Sequence, residues 1–505
     1  MNYAPNGLYV WDAWCMPKDD EVHVYHLQRN RPGAEVEDGL QERLGHAVSR
    51  DLVHWEERTP AFGPDPDNPH DDRQPWTGCA LWHEGQGHLF YTMRGSENAA
   101  RLQKIGLATT TDPDRWTRHS ANPVIVPDPR WYATEERPVP RIVDCRDLVV
   151  IPDPKGGWLG YYATRQPAEE LPETAVIACV HSDDLVHWEH RPPAFAPGKY
   201  ACIEVPEVFR MNGLWYMTCL TGHWYGNRGF WDDPNLVAGT IFAVAEQPEG
   251  PYREPKDNAL LAARTTAPLS CRSVLFEGEQ YVLYTDRERI GRTDAGNMTW
   301  GTLSTPKVWR TDGDRLYAAY SPRIETAVQQ QLIGPNRPPV ELTDRLWGKI
   351  WQMPSVRWTR GDTISGESRT GWEVMRFDAA ADSFIFEATV TIEWGVAAGL
   401  ALRLDEEMMG AVVALEAEQQ AVAFYAAPAF DFAEKRQTPI ARGTPIHLRV
   451  VNRLEHIEIY VNNELRLAFS RYRGIGGHVG LFVDRAQAHF DDLRLDALEV
   501  SPPSV

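Results

Sequence analysis

Long apolar runs are missing from this chain of 505 residues. Nothing in it approaches the roughly 18–20 consecutive apolar residues a membrane-spanning helix needs. The N-terminus, Met1-Asn2-Tyr3-Ala4-Pro5-Asn6-Gly7, has neither a basic region nor an apolar stretch. No secretory signal is therefore predicted, and a cytoplasmic location is expected. Positive charge is also scarce. Lys and Arg number 51 against 71 Asp and Glu, a formal net charge of -20. Phosphate backbones and anionic lipids are repelled by such a surface, which argues against nucleic acid and membrane partners. A neutral small-molecule or oligosaccharide substrate fits better.

Cysteine pairing is the third absence. The seven cysteines are odd in number, irregular in spacing and contain no C-x-x-C pair. Neither a disulfide framework nor a zinc site is indicated, and no metal is expected. Cys15, Cys145 and Cys202 stand within three residues of carboxylates discussed below, which leaves a thiol nucleophile open. Long stretches of 3.6-residue periodicity are missing too, which disfavours a helical solenoid.

Tryptophan, by contrast, is abundant at 19, and most of these residues are expected in packing. An internal repeat accompanies it. Ala47–Glu56 and His181–Glu189 share the pattern S-x-D-L-V-H-W-E. Weaker copies run over Ala108–Trp116 and Ala243–Tyr252, so the closing aromatics fall at positions 55, 116, 188 and 252. In each copy a strand ends in small and hydroxyl residues, a tight turn follows, and an aromatic opens the next strand. Strand-like runs such as Gly87–Thr92 and Gly213–Thr218 lie between the copies. About four strands per repeat is the content of a propeller blade. A further segment through Trp309 brings the number of blades to five.

The pattern changes after about residue 320. Pro335-Asn336-Arg337-Pro338-Pro339 reads as a connector. Alternating strands follow over Ser383–Ile392, Ile446–Val451, His456–Val461, Leu465–Phe469 and Phe490–Leu495, with Asn462-Asn463 as a hairpin turn. The expected fold is all-β: a five-bladed β-propeller over 1–322, a linker over 323–340 and a C-terminal β-sandwich over 341–505. Support, dimerisation (a homo-oligomer through the sandwich) and ancillary sugar binding are the roles expected of that second domain. The acidic runs Glu169–Glu173 and Asp405–Glu407 read as solvated loops, and His54 and His187 as blade packing.

Three segments place a carboxylate near a strand end. Asp12 lies between Trp11 and Trp14, and a carboxylate there is costly to bury unless something pairs with it or uses it. Asp147 closes Asp144-Cys145-Arg146-Asp147 and runs into Leu148-Val149-Val150-Ile151. Glu204 and Glu207 bracket Val205-Pro206, and a Glu beside apolar residues has its proton affinity raised, as a general acid requires.

These segments resemble those of glycoside hydrolase family 32 and its sister levansucrases. Trp11-Asp12-Ala13-Trp14 resembles W-D-S-W, and Gly45-His46-Ala47-Val48-Ser49 through Trp55 resembles W-G-H-A-x-S-x-D-L-x-H-W. Thr77-Gly78-Cys79 looks like S-G-S, Arg146-Asp147-Leu148 like R-D-P, and Glu204-Val205-Pro206-Glu207 like E-C-P-D. Leu303-Ser304-Thr305-Pro306-Lys307 looks like L-S-x-P-R. Tryptophans stand at both asparagines of the family's N-D-P-N-G.

The resemblance implies a retaining glycosidase or transglycosylase acting on furanosides, β-fructofuranosides above all. It implies Asp12 as nucleophile, Glu204 as acid/base and Asp147 as the stabiliser that holds sugar hydroxyls. Arg146 would orient Asp147 or tune Glu204. Trp11, Trp14, Gln28, Trp76 and Thr77 would line the sugar subsite, with Glu207 in a structural role. No cofactor is required. Retention would place Asp12 and Glu204 about 5–5.5 Å apart. Two other readings stand beside this one: an inverting, arabinofuranosidase-like hydrolase, and a propeller that binds glycans without cleaving them.

Overall fold

The computed structural model describes residues 2–96, 102–134, 144–168, 173–222, 235–347, 357–361, 363–426, 431–474 and 476–499. Four sheets of four sequential antiparallel strands account for the first four blades. Their innermost strands are Leu8–Lys18, Trp76–His83, Arg146–Pro152 and Glu204–Met211. The fifth blade comprises Leu269–Phe276, Glu279–Thr285, Lys307–Asp312 and Arg315–Tyr320. It joins the hydrogen bonding of the second domain through one pair, Ala319 and Glu464. The five innermost strands touch in a closed ring, the first against the fifth. Bridges from Tyr3 to Leu303 and from Val10 to Gly301 seal that junction.

The sequence repeat is the turn between the third and fourth strands of a blade. Ser49 Oγ accepts from Leu52 N at 2.8 Å, while Asp51 Oδ1 accepts from Val53 N and His54 N, both at 2.8 Å. Ser182 and Asp184 do the same for Leu185, Val186 and His187 at 2.9, 2.9 and 2.8 Å. A short polar side chain satisfies backbone donors the turn leaves without ladder partners, which is why Ser and Asp recur at this spacing. The closing aromatics Trp55, Trp116, Trp188 and Tyr252 pack in the cores between blades. His54 and His187 do not. Both are exposed, and each imidazole closes the turn against its own Asp at 2.6 and 2.7 Å. The blade-packing expectation for them is corrected: the Asp two positions after the Ser captures the ring before it can turn inward.

The second domain is built on two long strands, Ser383–Leu404 and His478–Leu498, paired along most of their length. Ile446–Arg453 flanks one end of the first and Ala411–Glu416 the other. The sheets close over Phe384, Phe386, Leu400, Val413, Phe424, Leu448, Leu481 and Phe490. Asn462 and Asn463 turn the hairpin with φ of 50° and 67°, a conformation Asn tolerates better than most residues. The stretch 323–340 is more structured than a linker. A 3-10 helix covers Pro322–Ala327, and Val328–Ile333 pairs with the last strand of the sandwich. Polar Gln329, Gln330 and Gln331 hid this strand, whose partner is more than 150 positions away. Of the two acidic runs, Asp405–Glu407 is exposed and 169–172 lies outside the described residues.

Propeller and sandwich share a core that includes Tyr284, Trp309, Leu316, Ile385, Tyr460 and Leu465. Within it, buried Glu458 accepts from Tyr284 Oη at 2.6 Å, Tyr460 Oη at 2.6 Å and Arg453 at 2.7 Å, and pairs with Lys307. Four donors satisfy one carboxylate, which makes its burial tolerable.

Candidate active site

Each innermost strand carries a β-bulge near its start. Register slips occur at Trp11/Ala13, Trp76/Gly78 and Glu204/Glu207, opposite Tyr161/Ala163, and at Leu269/Arg272. The extra residues are Asp12, Thr77, Asp147, Val205 and Ser270. Four have left-handed backbone: Asp12 at φ 40°, Asp147 at 61°, Val205 at 51° and Ser270 at 49°. Such conformations cost about 1–3 kcal/mol each in non-glycine residues and recur at functional sites. Of the bulge residues, Asp12, Thr77 and Asp147 line one central cavity.

That cavity, of about 300 Å³, is lined by Trp11, Asp12, Trp76, Thr77, Arg146, Asp147, Glu204, Leu220, Leu269, Arg287 and Trp300. The three carboxylates read from the sequence therefore meet, together with Trp11, Trp76, Thr77 and Arg146. Two expected members do not reach it. Trp14 is 2% exposed and packs with Met16, Tyr25 and Leu89 between the first two blades. The bulge at Asp12 is the reason: it resets the alternation, so Trp11 and Trp14 share a face and Trp14 falls farther from the axis. Gln28 is also 2% exposed, and its Nε2 donates to Leu40 O at 2.7 Å. It sits one strand out from the axis, opposite Val10, and fastens the following loop.

Asp12 is held by hydroxyls. Thr77 Oγ1 donates to its Oδ2 at 2.5 Å, and Ser270 Oγ donates to its Oδ1. Asp147 and Glu204 are held by one guanidinium. Arg146 Nη2 lies 3.1 Å from Glu204 Oε2, Nε lies 3.4 Å from Asp147 Oδ2, and Nη1 donates to Asp144 Oδ1 at 2.6 Å. Val205 N donates to Asp147 Oδ2 at 3.0 Å. Thr92 Oγ1 accepts from Asp147 N at 3.1 Å and donates to Thr77 O at 2.7 Å, tying the second blade to the third.

Burial pushes the Glu204 carboxyl up to about 8, with Asp147 and Asp12 adding to the effect against Arg146. Asp147 is pushed up to about 6, by burial first and then by Asp12. Burial opposes the charge of Arg146, but Asp144, Glu204 and Asp147 outweigh it, and the guanidinium stays charged. At neutral pH, Glu204 thus carries a proton beside an Arg-neutralised aspartate, the division an acid and its partner need.

Beneath the cavity, Arg272 is 2% exposed. It donates to Pro206 O at 2.8 Å and Gly78 O at 3.1 Å, and pairs with Glu207 at 3.2 Å. One side chain on the axis so pins the bulges of the second and fourth blades, and Glu207 has the structural place expected of it. The thiols play another part. Burial pushes Cys15 and Cys202 up to about 12 and Cys145 higher still, so none is a ready nucleophile.

Ser270, Leu269, Leu220, Arg287 and Trp300 were missed from sequence. Trp300 packs against Trp11 with centroids 4.7 Å apart and planes tilted by 40°, and Arg29 lies over its ring at 4.6 Å. Trp300 lies just ahead of the L-S-T-P-K segment, a position that could have flagged it. A second cavity of about 740 Å³ adjoins the first, sharing Leu269, Arg287 and Trp300. Elsewhere, Glu288, Glu455 and His456 bring three ligand atoms close together. Arg31 and Arg292 pair with the two glutamates, and Ser470 bonds the His456 ring.

Residues 5–214 match the family model "Glycosyl hydrolases family 32 N-terminal domain". A β-fructofuranosidase 1 of Zea mays is 39% identical over 138 residues, 26% of this chain and 18% of the relative. An acid β-fructofuranosidase of Vigna radiata var. radiata is 27% identical over 230 residues, 43% of this chain and 31% of the relative. The chain thus spans less than a third of the length of these curated relatives. The fold extends further. Fructan 1-exohydrolase IIa of Cichorium intybus aligns with a TM-score of 0.68 at 15% identity, over 99% of this chain and 97% of that one. Exo-inulinase of Aspergillus awamori gives 0.67 at 15%, over 99% and 98%. The segment 5–214, which supplies Asp12, Asp147 and Glu204, is thus similar to the N-terminal domain of glycoside hydrolase family 32.

Proposed function

We propose that this protein is a retaining glycosidase of β-fructofuranosides. Asp12 is the nucleophile, Glu204 the acid/base and Asp147 the residue that holds sugar hydroxyls. The observation that carries the reading is the division of labour within one cavity. Asp12 takes two hydroxyl donors, while burial keeps Glu204 protonated near neutral pH. In the first step Glu204 gives its proton to the leaving oxygen as the Asp12 carboxylate bonds to the anomeric carbon. In the second, Glu204 takes a proton from water, the water oxygen bonds to that carbon, and the ester electron pair returns to Asp12. Arg146, within 3.1 Å of Glu204, then stabilises the carboxylate left after the proton has gone.

The substrate class is supported by the family match and by relatives named β-fructofuranosidase and levanase. The 740 Å³ cavity beyond Trp300 offers room for a leaving group larger than one sugar. Transfer to a second sugar in place of water belongs to the same reading, since that cavity would bind the acceptor. The seven cysteines form no disulfide among the described residues, which suits a reducing compartment and favours a cytoplasmic location. Self-association through the sandwich completes the proposal, with sedimentation of the intact chain as its test.

Asp12→Asn and Glu204→Gln are expected to lose at least about 10³-fold in kcat on sucrose and short fructans while keeping the wild-type fold. Near wild-type turnover in either variant would sink the assignment.

A further inference from the structure

We propose that Ser270 is a positioning residue for Asp12, and that its hydroxyl sets how fast a glycosyl ester on that carboxylate breaks down. The inference rests on Asp12 being the nucleophile. Ser270 comes from the fifth blade, outside the matched segment 5–214, and no sequence motif points to it.

Asp147 and Glu204 share a guanidinium, but among the described residues no cation pairs with Asp12. Its two oxygens instead take one hydroxyl each, Ser270 on Oδ1 and Thr77 on Oδ2. Ser270 is 1% exposed and sits on a bulge at φ 49°. Arg272, two residues on, is fastened to Pro206, Glu207 and Gly78. The strand therefore cannot drift without dislodging the pin on the propeller axis, and the hydroxyl has a fixed origin. Thr77 is fixed in the same way by Thr92 through its own carbonyl. Two hydroxyls from the second and fifth blades thus clamp a carboxylate from the first.

The chemistry gives this clamp a directional effect. Asp12 enters the first step as an anion and leaves it as a neutral ester, its new bond forming as the bond to the leaving oxygen breaks. In the second step water replaces it, and the bonding pair returns to the carboxylate. A hydroxyl donor stabilises the anion more than the ester. Deleting it makes Asp12 a poorer leaving group in the second step, whereas in the first step lost positioning is partly offset by a more reactive oxygen. The slow step shifts to ester breakdown, so the intermediate accumulates.

The test compares wild type with Ser270→Ala, Ser270→Gly and Ser270→Cys, using sucrose, rapid quench and intact-protein mass spectrometry. Glycine accepts φ near 50° without strain, which guards against a folding defect. Cysteine fills nearly the same space but donates weakly. For Ala and Gly we expect kcat to fall about 10- to 100-fold, the worth of one hydrogen bond to a charged group. KM should fall with it, a burst of glucose should appear, and the protein should gain the mass of one anhydrohexose on the Asp12 peptide. Cys should follow Ala. Variants with wild-type kcat, or with reduced kcat, unchanged KM and no adduct, would overturn the assignment of Ser270 and leave the reading of Asp12 intact. A Cys variant that behaves as wild type would reduce Ser270 to a packing role and also overturn it. A wild-type protein idle on every furanoside would overturn both.

Discussion

Replacing Glu204 by Gln tests the electrostatics of the site apart from turnover. The Glu204 carboxyl has an ordinary value near 4.5 and is pushed up to about 8 in the fold, burial being the main cause. Between those two values the folded protein holds a proton that the unfolded chain releases. Stability then falls as pH rises, by about 1.4 kcal/mol per pH unit while the window lasts. Across the window this amounts to about 3–5 kcal/mol in the wild type and vanishes in Glu204→Gln. For a chain of 505 residues the corresponding change in Tm is about 3–5 °C.

Thermal melts of both proteins at pH 5, 6.5 and 8 should therefore diverge, with the Gln variant gaining on the wild type as pH rises. Gln keeps an acceptor for Arg146, so the comparison isolates the proton. The same proton sets the alkaline limb of activity. Wild-type kcat/KM should decline about tenfold per pH unit above about 8 as the acid is lost. A Tm difference that stays constant from pH 5 to pH 8 would mean that Glu204 is ionised at neutral pH, and the acid assignment would fall.

Two further substitutions probe the frame around the site. A Cβ at Gly78 would meet the carbonyl oxygen of Phe90 at 1.8 Å. Gly78→Ala should thus displace Thr77 from Asp12, lower kcat at least about tenfold and cost about 1–3 kcal/mol in urea unfolding. Unchanged kcat would show that Thr77 does not hold the nucleophile. At the domain junction, Glu458→Ala leaves Lys307 and Arg453 buried without their shared partner. A loss of about 3–5 kcal/mol is expected in chemical denaturation, against a negligible change if that network contributes nothing.

Much of the propeller was legible because its signal is local. The Ser and Asp of the two stronger repeats cap the same turn, so a short string of residues encodes both the turn and the blade to which it belongs. The three carboxylates were legible for a related reason, since each stands on an inner strand in a short segment marked by Trp, Arg or Pro neighbours. What escaped was non-local. Nothing near Ser270 in sequence announces that the fifth blade bends back to meet Asp12. Trp14 was misplaced because the bulge at Asp12 puts it on the same face as Trp11 but farther along the strand, where it packs between the first two blades instead of reaching the cavity. Val328–Ile333 was taken for linker because its three glutamines carry no strand signal, and its pairing lies with the end of the chain. The tryptophans standing at the family's asparagines also divide once their places are known: Trp11 lines the central cavity with Trp300, and Trp14 is core.

The measurement that bears most directly on the whole account is the stereochemistry of transfer. Sucrose is incubated with the enzyme in aqueous methanol, and the first methyl fructoside formed is identified by NMR before any secondary reaction. A covalent ester on Asp12, opened from the opposite face, predicts methyl β-fructofuranoside. The α-anomer would contradict it, because a single displacement by water or methanol needs no nucleophile at Asp12.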